Sequence, residues 1–145
     1  MKVEENVEIT ATPGEVYDLI SDIDRLGDWV SIHQWAESSS QGELKKGDEL
    51  TQSLKLAGRP FTVHWKVVES DRPNRLVWEG RGPVRSKAKV VNELTATDKG
   101  THFSYTNEFD LPGGPLGRVA GPMVKKVTGG ELETSLARLK ALLEK

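Results

Sequence analysis

The chain has 145 residues, a formal net charge of -2 and 29% charged residues of both signs, so one domain, 1–145, is expected and charge gives no case for nucleic acid. It lacks cysteine, which excludes disulfides and thiolate metal sites. The opening MKVEENVEIT has neither the basic start nor the apolar run of a signal peptide, and no stretch nears the ~18 apolar residues of a membrane span; a cytoplasmic protein with no membrane span is expected.

In chain order, VEENVEIT (3–10) alternates apolar and polar residues and predicts a half-buried strand. ATPGEVYDLISDID follows, with Thr12 as cap, Pro13 in the first helical position and Glu15 completing a capping box, so a helix starts here. A second short helix is expected over DRLGDW. From Trp35 to Phe109 the helical period disappears and turn clusters recur at QGELKKGD, LAGRP, SDRPN, GRGP and TDKGT. The alternating runs between them predict an antiparallel meander, about seven strands in all, since no segment of helix length separates them. After the breaker cluster LPGGPLG the chain ends in a helical tail. A curved antiparallel sheet has to cover its apolar concave face, and that tail is the only amphipathic element large enough. The expected class is therefore α+β, a curved sheet gripping a long C-terminal helix.

Alternation also assigns sides. The inner parity reads Leu50, Gln52, Leu54, Leu56; Phe61, Val63, Trp65, Val67; Leu76, Trp78, Gly80; Val84, Ser86, Ala88, Val90, Asn92, Leu94; and Phe103, Tyr105, Asn107, Phe109. Small residues at Gly80, Ser86 and Ala88 leave volume, while Gln52, Ser86, Asn92, Tyr105 and Asn107 place neutral hydrogen-bonding groups among aromatics. Apolar walls with a few convergent polar groups are the usual make-up of a small-molecule cavity. The candidate ligand-binding residues are Gln52, Trp65, Trp78, Ser86, Asn92, Phe103, Tyr105 and Asn107 on strands, His33 at the cavity mouth and Met123 on the tail.

Acid-base chemistry is poorly provided for. Glu5 is the one clear ionisable residue on the inner parity, and a bulge or a rim position is expected to explain it. The histidines form no set, with His64 and His102 on the outer parity and His33 in the loop-like stretch SIHQW. No metal-ligand spacing or phosphate-binding glycine loop occurs, so neither a metal nor another cofactor is expected. Arg81, Arg85, Lys87 and Lys89 form a basic outer ridge without the aromatics that would stack a base.

The element order and the strings ATPGEVYDLISDIDRLGDWV, PNRLVWEGRG, GTHFSYTNEF and LETSLARLKALLEK resemble the START/polyketide-cyclase superfamily, also called SRPBCC, along essentially the whole chain. The resemblance implies a helix-grip fold with a cavity between sheet and terminal helix, its mouth near the loop that holds Trp29 and His33. It implies no shared catalytic motif, because such proteins include lipid carriers, polyketide cyclases and interaction modules. Binding of a hydrophobic small molecule, lipid or polyketide-like, is the preferred expectation, with no acid-base pair to support an enzyme. A polyketide cyclase or dehydratase using the same cavity, and an interaction module with a closed core, are the alternatives.

The tail carries two apolar stripes, Leu116, Val119, Ala120, Met123 and Val127, then Leu132, Leu136, Leu139 and Leu143. At about 100° per residue the stripes differ by ~160° in phase, so both cannot face one sheet. Thr128-Gly-Gly-Glu131 between them has the capping-box pattern, and a break or kink is expected there, with 131–144 as regular helix and 115–128 as a separate or kinked segment.

Overall fold

The computed structural model describes residues 1–38, 43–110 and 115–144, the last segment with side chains from 123 onward. Strand β1 (Lys2–Ile9) leads into helix α1 (Pro13–Ile20), then a 3-10 turn at Ile23–Arg25 and the single-turn helix α2 (Leu26–Trp29). Six strands follow: β2 (His33–Ser38), β3 (Glu49–Leu56), β4 (Arg59–Asp71), β5 (Arg75–Arg81), β6 (Lys87–Thr97) and β7 (Gly100–Phe109). Helix α3 (Pro115–Leu143) closes the chain. The strands form one antiparallel sheet in the order β1-β7-β6-β5-β4-β3-β2, so a meander from β2 to β7 is completed by β1 returning beside the last strand. This is the α+β helix-grip architecture that the order of elements predicts.

Local chemistry accounts for the boundaries. The Thr12 Oγ1 accepts the Glu15 N–H at 3.2 Å and Pro13 takes the first helical position. The expected return bond differs, for the Glu15 carboxylate accepts the Thr12 hydroxyl instead of the Thr12 backbone N–H. Ala57 and Gly58 have φ of 52° and 80°, the pair of left-handed residues that a two-residue hairpin between β3 and β4 needs. Gly100 opens β7 so close to β1 that a Cβ there would lie 2.2 Å from the Ile9 carbonyl oxygen, which only glycine tolerates. The next residue, Thr101, donates its hydroxyl to the Ala11 carbonyl at 2.7 Å and ties the approach to α1 onto the sheet.

Two expectations about strand limits are corrected. His33 belongs to β2, beside a bulge between His33 and Trp35, instead of lying in a loop. At the β5–β6 turn, Val84 and Arg85 take left-handed φ of 54° and 59°, so β6 starts only at Lys87. Val84, expected inside, is therefore 80% exposed, and Ser86 sits in the turn with its hydroxyl on the Pro83 carbonyl at 2.7 Å.

Elsewhere the inner parity is mostly the buried one, although Ser53, Val77 and Thr106 on the outer parity are buried as well. Val63, Trp65, Val67, Leu76, Trp78, Val90, Asn92, Leu94, Phe103 and Tyr105 are all buried on the concave face. The register aligns them in rows across the sheet, such as Leu50, Trp65, Gly80, Ala88 and Phe109, then Val67, Trp78, Val90, Asn107 and Val3. On the outer face, Glu49, Lys66, Glu79, Lys89, Glu108 and Lys2 stand opposite one another in alternating sign, which neutralises the basic ridge at Lys89. Glu5 needs no bulge, because β1 pairs with β7 in unbroken register. It lies beneath α3, its carboxylate next to Gly129, where burial and then the charge of Glu133 raise its pKa.

Helix α3 runs without interruption through Gly129 and Gly130, so the expected break is absent and Thr128 caps nothing. The phase difference is real all the same. Leu132, Leu136 and Leu139 are buried against the sheet and the short helices, whereas Met123 is 73% exposed and Val127 is also exposed. The conflict between stripes is resolved by leaving the described part of the front one in solvent; Leu116, Val119 and Ala120 lie outside the described side chains.

Candidate functional site

Between the concave face and α3 the core leaves a small, partly open void of about 60 Å³. Its sheet side is formed by Gln52, Trp65, Trp78, Asn92, Tyr105 and Asn107, with Leu54 and Val90 between them. Helix α3 covers it with Thr128, Glu131, Leu132 and Ser135, and Ile20, Leu26 and Trp29 close the side. Six of the strand residues expected in a ligand site are thus brought together. His33 is joined to them indirectly, for the Gln52 Nε2 donates to His33 Nδ1 at 2.9 Å while Gln52 Oε1 accepts the Trp65 indole N–H at 2.9 Å. That chain requires a neutral imidazole with an unprotonated Nδ1, and burial moves the His33 pKa in the same direction, downward.

Besides His33, three expected residues do not line the void. Ser86 is in the β5–β6 turn, and Met123 projects into solvent because its stripe is out of phase with Leu132. Phe103 faces inward, but deeper along the sheet, opposite Leu94 and Val7. Conversely, Trp29, Thr128, Glu131 and Ser135 line the void without having been singled out for it. Trp29, placed at a loop mouth from the sequence, is 2% exposed and meets Tyr105 edge-on with ring centroids 5.6 Å apart. Its helical spacing from Ile23 and Leu26 was the available signal. Thr128 precedes Leu132 by one turn, so a continuous helix puts it on the buried face.

Four buried side-chain atoms among the described residues have no hydrogen-bond partner: Trp29 Nε1, Trp78 Nε1, Asn107 Nδ2 and Thr128 Oγ1. All four belong to residues that line this void. An unpaired buried polar group costs about 1–3 kcal/mol. A water needs roughly 10–15 Å³ of such space, so a few waters or the tip of a larger molecule would fit. Tyr105 remains protonated, since burial pushes its phenol up to about 12 despite the opposing effect of the neighbouring Asn107 amide. Glu131 is the one carboxylate on the wall among the described residues, and it accepts the Ser31 hydroxyl.

A second space, an open trough of about 1340 Å³, lies at the end of the sheet where β1 begins and β7 ends. Leu50, Trp65, Gly80, Ala88 and Phe109 form its apolar part, while Lys66, Glu79 and Lys89 are among the charges at its margin. Trp65 borders both spaces. Its ring lies on Gly80, where a Cβ would come within 2.5 Å of Trp65 Cε3, so the volume expected over this glycine is occupied by the indole. Trp78 packs edge-on against the same indole at 5.9 Å, and Gln52 holds its N–H. Ala88, in contrast, does border open space.

A curved antiparallel sheet closed by a C-terminal helix defines a helix-grip protein. The family of polyketide cyclases/dehydrases and lipid transport proteins matches residues 1–144, and the chain belongs to it. The uncharacterized protein Rv1546 of Mycobacterium tuberculosis is 27% identical over 144 residues, which cover 97% of this chain and 96% of that protein. Toxin Rv0910 of the same organism is 22% identical over 126 residues, covering 86% and 88%. Among solved structures, TTHA0849 from Thermus thermophilus superposes with a TM-score of 0.84 at 18% identity, over 99% of this chain and 97% of that one, a likeness of fold.

Proposed function

We propose that this protein binds or carries a hydrophobic small molecule, lipid-like or polyketide-like, in the cytoplasm, with the body of the ligand in the trough and its tip in the void beneath α3. One observation carries the reading: a void lined by polar and aromatic side chains remains between sheet and helix, and Trp65 lines both it and the open trough. At ~60 Å³ the void alone is far below the roughly 300–1,000 Å³ of a small-molecule site, so binding requires Trp65 to move and join the two spaces. The family description, polyketide cyclase/dehydrase and lipid transport, supports the same ligand class. Titration with fatty acids and aromatic polyketides, followed by Trp fluorescence and melting temperature, tests it. Saturable changes, with a melting-temperature shift that is retained or larger in Trp65→Ala, support the reading, and a panel without effect on either signal overturns it.

A catalytic reading is favoured by one feature, the Glu131 carboxylate on the void wall with Tyr105 and Asn107 also lining it. In a cyclase or dehydratase of the family type, Glu131 would take a proton from a poly-β-ketone while the Tyr105 hydroxyl polarises its carbonyl. Loss of product change in Glu131→Gln with ligand binding retained would establish that role.

A further inference from the structure

We infer that the β5–β6 hairpin tip, residues 81–87, docks the protein on an anionic lipid bilayer, with Val84 inserted between headgroups and Arg81, Arg85 and Lys87 against the lipid phosphates. The inference goes beyond the binding reading and does not depend on it, for it rests on the surface of one turn and not on the void.

Charge on the outer face is balanced in one row of the sheet and unbalanced in the next. Lys66 stands between Glu49 and Glu79, and Lys89 between Glu79 and Glu108. One step toward the tip the row reads Thr51, His64, Arg81, Lys87, so the two cations at the ends of the hairpin turn face each other directly. Like charges in that position repel, and Arg85 adds a third cation on the turn itself. All three are exposed, and none forms an ion pair among the described residues. Asp110 follows β7 beside Lys87, its backbone N–H on the Lys87 carbonyl at 3.0 Å, and one carboxylate leaves the tip with an excess of positive charge.

The same turn carries the most exposed large apolar side chain among the described residues, that of Val84. Its φ of 54° lies in the left-handed region, where glycine or asparagine is the ordinary choice and a β-branched residue is rare. A turn chosen for the fold alone would carry such a residue and would not set Arg81 against Lys87. Local choices that work against the folded chain mark a functional surface. A convex apolar tip ringed by cations offers no groove to a peptide, but it matches a bilayer, where an apolar side chain passes the headgroups while Arg and Lys stay among the phosphates. Arg81 and Lys87 also border the trough, so docking sets the rim of the trough against the lipid.

Flotation of the full chain with vesicles tests this, using phosphatidylcholine alone and an equal mixture with phosphatidylglycerol, at low and at high salt. Binding should favour the anionic vesicles about tenfold or more at low salt and fall as salt rises. Arg81→Gln, Arg85→Gln and Lys87→Gln should each weaken it about fivefold, whereas Lys99→Gln, in the turn at the other end of β6, should change it little. Val84→Asn should weaken it about tenfold with the melting temperature at or above that of the parent, because asparagine suits the left-handed turn. Absence of vesicle binding, equal binding to both compositions, or anionic binding that Val84→Asn and Lys87→Gln leave unchanged overturns the inference. Equally tight binding to soluble poly-glutamate overturns it too, since the tip would then serve an acidic protein. None of these results bears on the ligand titration, which reports on the interior alone.

Discussion

Helix α3 has two halves that the same sheet treats differently. From Glu131 onward it is fastened: Leu132, Leu136 and Leu139 are buried, Ser31 bonds to Glu131 and Ser135, and Lys140 Nζ donates to the Glu8 carbonyl at 2.7 Å. Glu144 adds a carboxylate that accepts the Thr10 N–H at 2.8 Å. Ahead of Gly129 the described side chains make little of this kind, with Met123 and Val127 exposed and Thr128 buried without a partner. The half from Glu131 onward both closes the core and, together with Thr128, covers the void, while the described part of the front half lies in solvent.

The largest effect that should separate the halves is core truncation. Leu136→Ala removes a side chain that is 2% exposed and should cost about 2–5 kcal/mol in urea unfolding. Met123→Ala should stay within about 0.5 kcal/mol of the parent. Comparable losses at both positions would break the contrast. Next, Ser135→Ala leaves the Ser31 N–H without its acceptor and should cost about 1–3 kcal/mol, read in the same way.

The join itself gives a gain. No atom lies within 4 Å of a Cβ built on Gly130, so Gly130→Ala should stabilise by about 1 kcal/mol through helix propensity alone. A loss there would mean that the glycine is held for a reason other than space. The smallest effect is expected at Glu5, below Gly129. Its folded-state pKa is raised, by burial first and by Glu133 second, so the ionised form opposes folding at neutral pH. Glu5→Gln should raise the melting temperature at pH 7. The advantage should shrink as pH falls through the raised value and vanish below the unfolded carboxyl value of about 4.3.

Much of this was legible in the residues, for reasons that particular positions make plain. Alternation along β3, β4, β5, β6 and β7 singled out Gln52, Trp65, Trp78, Asn92, Tyr105 and Asn107, because a pleated strand sorts side chains by parity alone. Parity says nothing of depth, which is why Phe103 was grouped with residues that line the void although it packs further along the sheet. Nor does it survive a left-handed turn, and Val84 and Arg85 carry Ser86 out of the strand. The tail was misread for a different reason. The phase difference between Met123 and Leu132 was correct, but burial of both stripes was assumed, and that assumption demanded a break at Gly129 and hid Thr128 on the inner face.

The measurement that bears most directly on a ligand-holding interior is native mass spectrometry of the purified protein, as expressed and after incubation with the lipid and polyketide panel. The account predicts a population heavier by one small molecule, released under denaturing conditions and retained in Trp65→Ala, where the passage between the two spaces is open. The bare chain mass alone, in both preparations, would contradict it.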